Sequence, residues 1–165
     1  DTDAPIKNSS CHAVDGGWAC LTDKRMRVTT RTKLRDGLVW TGFPFRDFTH
    51  LDTYLDKLKD MIKKTTGIRR PGSAALDLAY VAAGWYDGFW EIDLSTWDIP
   101  AGGLIVQEAG GIVGDFEGNE SSLKTGNIVA ANPNIFSPML QTLSPHFNCD
   151  LKTPKWLSNT NLLYT

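Results

Sequence analysis

The sequence contains no apolar run near the ~18–20 residues that span a bilayer. No membrane segment is therefore expected. It opens Asp1-Thr2-Asp3, with neither a basic segment nor an apolar stretch behind it, so no secretory signal is expected in this chain. Neither charge sign dominates: 17 Lys and Arg stand against 19 Asp and Glu, a net charge of −2. Bulk charge thus calls for no polyanionic partner, although it leaves room for a local basic patch. Cysteine is scarce, at Cys11, Cys20 and Cys149. An odd count without a Cys-x-x-Cys pair argues against a disulfide framework or structural zinc, and fits a reducing compartment. Cys11 and Cys20 are near enough in sequence to pair across a hairpin, but free thiols are the expectation. His12, His50 and His146 lie far apart and lack metal-ligand spacing, so they are assigned to structure or surface. No internal repeat is visible.

What is present suits one folded domain. The chain has 165 residues, of which 41% are hydrophobic and 22% charged. That composition can fill a core and excludes wholesale disorder. The first forty residues read as β-structure. Asp15-Gly16-Gly17 is a turn signal between His12–Val14 and Trp18–Leu21, and Thr22-Asp23 turns the chain again. Met26, Val28, Thr30 and Thr32 alternate with Arg25, Arg27, Thr29 and Arg31, which predicts a strand with one basic face. Leu38–Thr41 is another strand.

From Thr49 the period changes to that of a helix. Leu51, Leu55, Leu58 and Ile62 form an apolar stripe, capped by Asp47 or Thr49 and ended by Gly67. Residues 68–70 form a short strand, and Ser73 opens a small-residue helix over 74–83 that ends at Gly84. Trp85–Ile92 reads as a strand. Asp98 opens a helix with Pro100 in its first turn, ending at Gly110-Gly111. Strands at 112–116 and 127–131 and a helix over 133–143 complete the pattern. Strands alternating with helices predict an α/β fold, a mixed sheet covered by helices. The tail from Ser144 reads as irregular.

Two constellations can carry chemistry. Glu91, Asp93 and Asp98 surround one strand-to-helix connection, where α/β sheets bind ligands. A carboxylate there can hold a hard cation, and a helix N-terminus can meet an anion. Taken alone, Asp98 reads first as a helix cap and Glu91 as a surface strand end. Arg70-Pro71-Gly72-Ser73-Ala74-Ala75 places a glycine and a hydroxyl at a helix start, where free amides can cradle a phosphate or sugar hydroxyl; a tight turn with a serine cap is the plainer alternative. Asp77, inside an apolar helix, should pair with a basic group or a backbone donor, and Arg69 is nearest in sequence. The stretch Lys24–Arg35 holds six cations. It can be a nucleic-acid or polymerase-binding strip, but a solvated edge face is the expectation.

Residues 67–84, the segment Asp87-Gly-Phe-Trp-Glu91, and the stretch from Trp97-Asp98 through Glu108-Ala-Gly-Gly111 together resemble the C-terminal half of the inositol monophosphatase family. Thr41-Gly-Phe-Pro-Phe45 and residues 126–133 match in type and order, so the likeness covers about residues 5–143, nearest the bacterial branch. The resemblance implies an αβαβα layered fold. It implies a Mg²⁺-dependent, lithium-sensitive phosphomonoesterase acting on inositol monophosphate or a related sugar phosphate, as a cytoplasmic homodimer. By position, Asp98 matches a Mg²⁺ ligand and Glu91 a residue that binds substrate hydroxyls. Gly72, Ser73 and Ala74 match the sugar pocket, and Arg70 an arginine near the dimer interface. The other role the resemblance implies is non-catalytic: an antitermination factor bound to the transcription machinery. An inactive fragment is the third reading.

The departures are specific. The family's Glu-Glu pair and its Asp-Pro-x-Asp-Gly-Thr motif, which supply most metal ligands and position the attacking water, do not occur. No catalytic residue is therefore identified in this half. Trp85 stands where a basic residue is common and Pro100 where a small one is usual. Residues 8–11 and the tail fit poorly. The expectation is a family member beginning about halfway along: residues 1–37 as antiparallel strands remaining from an N-terminal domain, 38–143 as the C-terminal α/β domain, 144–165 as an irregular tail. Such a chain alone should be catalytically silent and bind Mg²⁺ poorly. Were it active, Asp87, Glu91 and Asp93 would be the ligand set to test.

Overall fold

The computed structural model describes residues 2–4, 9–45 and 48–146. Two sheets organise them. The first is antiparallel, in the order β1 (Thr2–Ala4), β2 (Ser9–His12), β3 (Cys20–Leu21), β4 (Lys24–Arg25). The β3–β4 hairpin closes through Thr22 and Asp23, whose φ values of +44° and +65° suit a two-residue turn. Cys11 and Cys20 are both free.

The second sheet is mixed, in the order β6-β5-β7-β9-β8. It comprises β5 (Leu38–Thr41), β6 (Gly67–Arg69), β7 (Gly88–Glu91), β8 (Ile112–Gly114) and β9 (Ile128–Ala131). β6, β5 and β7 run parallel, whereas β9 pairs antiparallel with β7 and β8. Period-2 alternation sends successive residues to opposite faces. Trp40, Phe89, Ile128 and Ala130 pack with helices α2 (Ala74–Ala82) and α3 (Pro100–Glu108). Val39, Trp90, Val129 and Ala131 pack with α1 (Leu51–Lys64) and α5 (Pro133–Leu143). Both faces are covered, which is why these strands read as continuous apolar runs. Gly102 lies so close to α2 that a Cβ there would sit 2.6 Å from Leu78 Cβ. The small residues of these two helices allow that approach.

Several expectations are corrected. Residues 26–33 belong to no strand: Val28 donates to Ala109 O, and Thr29 and Arg31 turn to Asp87, so the segment is tied to side chains and a helix end rather than to a ladder. The strand expected from Trp85 starts at Gly88. His50 holds the cap position of α1 without a side-chain bond, so Thr49 does not cap it, and Asp47 lies outside the described residues. Helix α3 starts at Pro100, not Asp98, because a β-turn over 95–98 precedes it. A short helix α4 (Ser122–Thr125) was not foreseen. Ser144–His146 forms a 3-10 turn, and the rest of the expected irregular tail lies outside the described residues. No helix among those described is long and apolar enough to cross a membrane.

Among the described residues Lys57, Asp77, Asp87 and Asp115 are buried, and two of them tie distant segments together. Lys57 is fully buried in α1, donates its ammonium to Leu143 O and lies 4.5 Å from the Phe116 ring; burial pulls its pKa down to about 8. Asp87 is buried at the start of β7. It accepts from Thr29 Oγ1, Arg31 Nε and Leu38 N, joining the segment that follows the first sheet to the second sheet.

Candidate active site

Three parallel strands end side by side, and their following loops enclose one cleft of about 300 Å³. The loop after β5 contributes Phe43, Pro44 and Phe45. The loop after β6 contributes Arg70 and Gly72–Ala75. The loop after β7 contributes Glu91 to Ser95 and then Asp98. Ligand clefts form at this place because helices start there and strand ends leave backbone free. Every residue singled out for substrate, metal or the adjacent interface lines this cleft: Arg70, Gly72, Ser73, Ala74, Glu91 and Asp98.

The local geometry explains the residue types. Gly42 lies beside Glu91, and any Cβ on it would occupy the space of the Glu91 carboxylate. Gly72 has φ +97°, and a Cβ there would meet Arg70 Nη1 at 2.8 Å, so glycine lets the arginine fold back. The Arg70 guanidinium lies 4.8 Å from the Phe45 ring centroid and 5.7 Å from that of Phe43. Ser73 occupies the cap position of α2 without bonding through its side chain, so its exposed hydroxyl is available to a ligand. Behind the cleft, Tyr54 stacks on Trp90 and its hydroxyl lies 3.2 Å from Thr41 Oγ1. Burial pushes the phenol well above its ordinary value.

The carboxylate loop is fixed from outside the cleft. Leu94 N donates to Gly126 O at 2.8 Å, and Asp93 N to Asn127 Oδ1 at 3.4 Å. Gly126 has φ +72°, and a Cβ there would sit 2.6 Å from Leu94 O. The sequence reading missed this brace; the signal for it was the Gly126-Asn127 pair before β9. Asp93, at φ +58°, turns the chain at this point.

Two site expectations change. Asp77 does not pair with Arg69, which donates to Ile68 O. Neither buried Asp77 carboxylate oxygen has a well-formed hydrogen bond among the described residues; burial pushes the pKa up to about 7, with the nearby Ser73 backbone and the Arg70 charge pulling it weakly the other way. Asp87 cannot join Glu91 and Asp93 as a ligand set. It precedes β7 whereas Glu91 ends it, about 13 Å along a strand of that rise, and its carboxylate is engaged by Arg31, Thr29 and Leu38.

Among the described residues, no three His, Cys, Asp or Glu side chains converge to hold a metal. Mg²⁺ takes octahedral oxygen ligands and gives up water reluctantly, so these residues do not by themselves compose a magnesium site.

The family model of the inositol monophosphatase family matches residues 2–147. The chain is 49% identical over 150 residues to the Nus factor SuhB of Pseudomonas aeruginosa, covering 90% of this chain and 55% of that protein. Among solved structures, the extragenic suppressor protein SuhB of Bartonella henselae superposes with a TM-score of 0.81 at 44% identity, over 84% of this chain and 53% of that one. The inositol monophosphatase of Anabaena superposes with the same score at 33% identity, over 86% and 57%. The chain thus spans about half the length of the curated relatives it matches. Fold, ordered motifs and family match agree: this chain belongs to the inositol monophosphatase family.

Proposed function

We propose that the cleft is the sugar-binding side of a phosphomonoesterase site for inositol monophosphate or a related sugar phosphate. One observation carries this: acidic, hydroxyl and cationic side chains from three separate loops converge at the carboxyl ends of three parallel strands. Glu91 accepts hydrogen bonds from ring hydroxyls. Ser73 and the free amides at the start of α2 bind further oxygens. Phe43, Pro44 and Phe45 cover the apolar face of the ring, with Arg70 held against them. Asp98 offers one carboxylate to Mg²⁺, an ion that neutralises phosphate charge and activates water when bound. The remaining ligands would come from beyond the described residues. In this reading the whole protein is a cytoplasmic, lithium-sensitive homodimer with Arg70 beside the subunit interface, and residues 1–37 belong with an N-terminal domain.

The test measures phosphate release from inositol 1-phosphate with and without Mg²⁺. The 165-residue chain should be silent. A hybrid joining residues 5–143 to the preceding half of the Pseudomonas aeruginosa relative should turn over, and Glu91→Gln in that hybrid should lose most of its activity. A folded hybrid without Mg²⁺-dependent turnover would sink the reading.

A second reading has its own support. Relatives at 44–50% identity carry the name Nus factor SuhB or Putative Nus factor SuhB, which supports a role at the transcription machinery. Retention of the hybrid by purified RNA polymerase or an elongation factor, with no turnover, would favour it over catalysis.

A further inference from the structure

The last pair of the β7–β9 ladder is Glu91 opposite Ile128. Past that pair, the loop that carries the carboxylates stays tied to the chain entering β9. Leu94 N donates to Gly126 O at 2.8 Å, and Asp93 N to Asn127 Oδ1 at 3.4 Å. Asn127 is only 2% exposed. Its own support continues back along the chain. Asn127 N donates to Thr125 Oγ1, and the Thr125 hydroxyl donates to Ser121 O. Gly126 N closes the short helix α4 on Ser122 O. The Ser121 hydroxyl donates to Asp115, a buried residue that also accepts from Glu117 N and Asn119 N. One hydrogen-bonded unit thus runs from Asp115 to the loop between Glu91 and Asp98.

Helix capping accounts for a left-handed glycine at 126, and the antiparallel ladder accounts for the chain from Ile128 onwards. Neither accounts for the Asn127 side chain meeting Asp93 N. Neither accounts for Gly126 lying where any Cβ would sit 2.6 Å from Leu94 O. Asp93 has φ +58°, a backbone state that a non-glycine residue keeps only where its surroundings hold it. The brace meets the loop at that residue. Asp93 follows Glu91 by two positions and precedes Asp98 by five, and Asp93, Leu94 and Ser95 themselves line the cleft. The Glu91 carboxylate fills the space beside Gly42, so it has little room to follow a loop that moves. Misplacing a reacting or binding group by about 1 Å can cost on the order of a hundredfold in rate.

We propose that Asn127, with Gly126 and the 115–125 segment behind it, is a positioning residue: it fixes the turn at Asp93 so that Glu91 and Asp98 address one sugar phosphate. The role rests on the phosphomonoesterase reading above, but its first test does not. In the full 165-residue chain, hydrogen exchange should show the Asp93 and Leu94 amides opening about tenfold faster in Asn127→Ala and in Gly126→Ala, with the amides of β5 unchanged. Lys124→Ala, at an exposed position of α4, should match the parent. The second test uses the hybrid enzyme. A variant that is merely unstable loses active molecules, so kcat falls at constant KM. Mispositioning should instead raise KM for inositol 1-phosphate about tenfold. Thr125→Val is isosteric and milder. It should move both readouts in the same direction, and it keeps the test decisive if circular dichroism shows either stronger variant unfolded. Unchanged exchange at Asp93 and Leu94 in folded variants would overturn the proposal, and so would a fall in kcat at constant KM. A silent parent hybrid would sink the catalytic reading and this role with it; an active parent with unaltered variants would sink this role alone.

Discussion

The two sheets were built under different constraints. The second sheet is covered on both faces, so each of its residues meets a helix. Trp90 and Phe89, adjacent on β7, bury completely in opposite layers. The first sheet has short strands and sends Cys11 towards α2 and α3, with Ala19 and Met26 from its flanks. Its edge strand β4 is exposed and basic. The difference teaches where the rigidity of the cleft comes from. All three cleft loops leave strands of the doubly covered sheet, whereas the first sheet and its flanks are joined to that layer by a packed patch, by bonds from Gly16 N to Glu108 and from Val28 N to Ala109 O, and by the Asp87 cluster.

The sharpest way to break the comparison is to empty the central strand. Trp90→Ala should cost about 3–5 kcal/mol, measured by urea unfolding, and should loosen the cleft through Tyr54. Asp87→Ala should come next, at about 2–4 kcal/mol, because it strands Leu38 N and leaves Arg31 unpaired; the half-exposed arginine keeps the loss below that of a fully buried pair. Asp87→Asn should lose less.

Asp77 probes the α2 layer through pH. Its carboxyl, raised to about 7 in the folded chain, holds a proton that the unfolded chain releases near pH 4. The folded state therefore binds more protons between those values, and stability should fall as pH rises from about 4 to about 7, then level off. Asp77→Asn should remove that slope and gain about 1–3 kcal/mol at pH 8. Thermal melts at pH 5 and pH 8 decide it; parallel curves for parent and variant would refute the assignment. The smallest effect belongs to the first sheet: Cys11→Ala should cost about 1 kcal/mol. A loss as large as that of Trp90→Ala would erase the distinction between the sheets.

Much of the second sheet was legible because its residues obey local rules. Leu38–Thr41 is a short, largely apolar run bounded by glycines, and α5 starts at Pro133 behind Asn132, whose side chain accepts from Asn134 N and Ile135 N. The convergence of Arg70, Ser73, Glu91 and Asp98 was legible only through motif order. No spacing states that three loops meet. The first sheet was readable at its turns and misread after Arg25, because an alternating pattern cannot say whether a partner strand is there to pair with.

Sequence by itself determined the secondary elements whose periods are strong, the turns that need glycine and the family to which the chain belongs. Tertiary structure alone decided that Asp87 is a structural hub and Asp77 an unpartnered buried acid. It also decided that Gly126 braces the carboxylate loop and that Lys33 and Lys64 line one groove. The physical reason is common to all four. Burial and long-range partners set the state of a polar group, and both depend on residues that lie roughly thirty or more positions away along the chain.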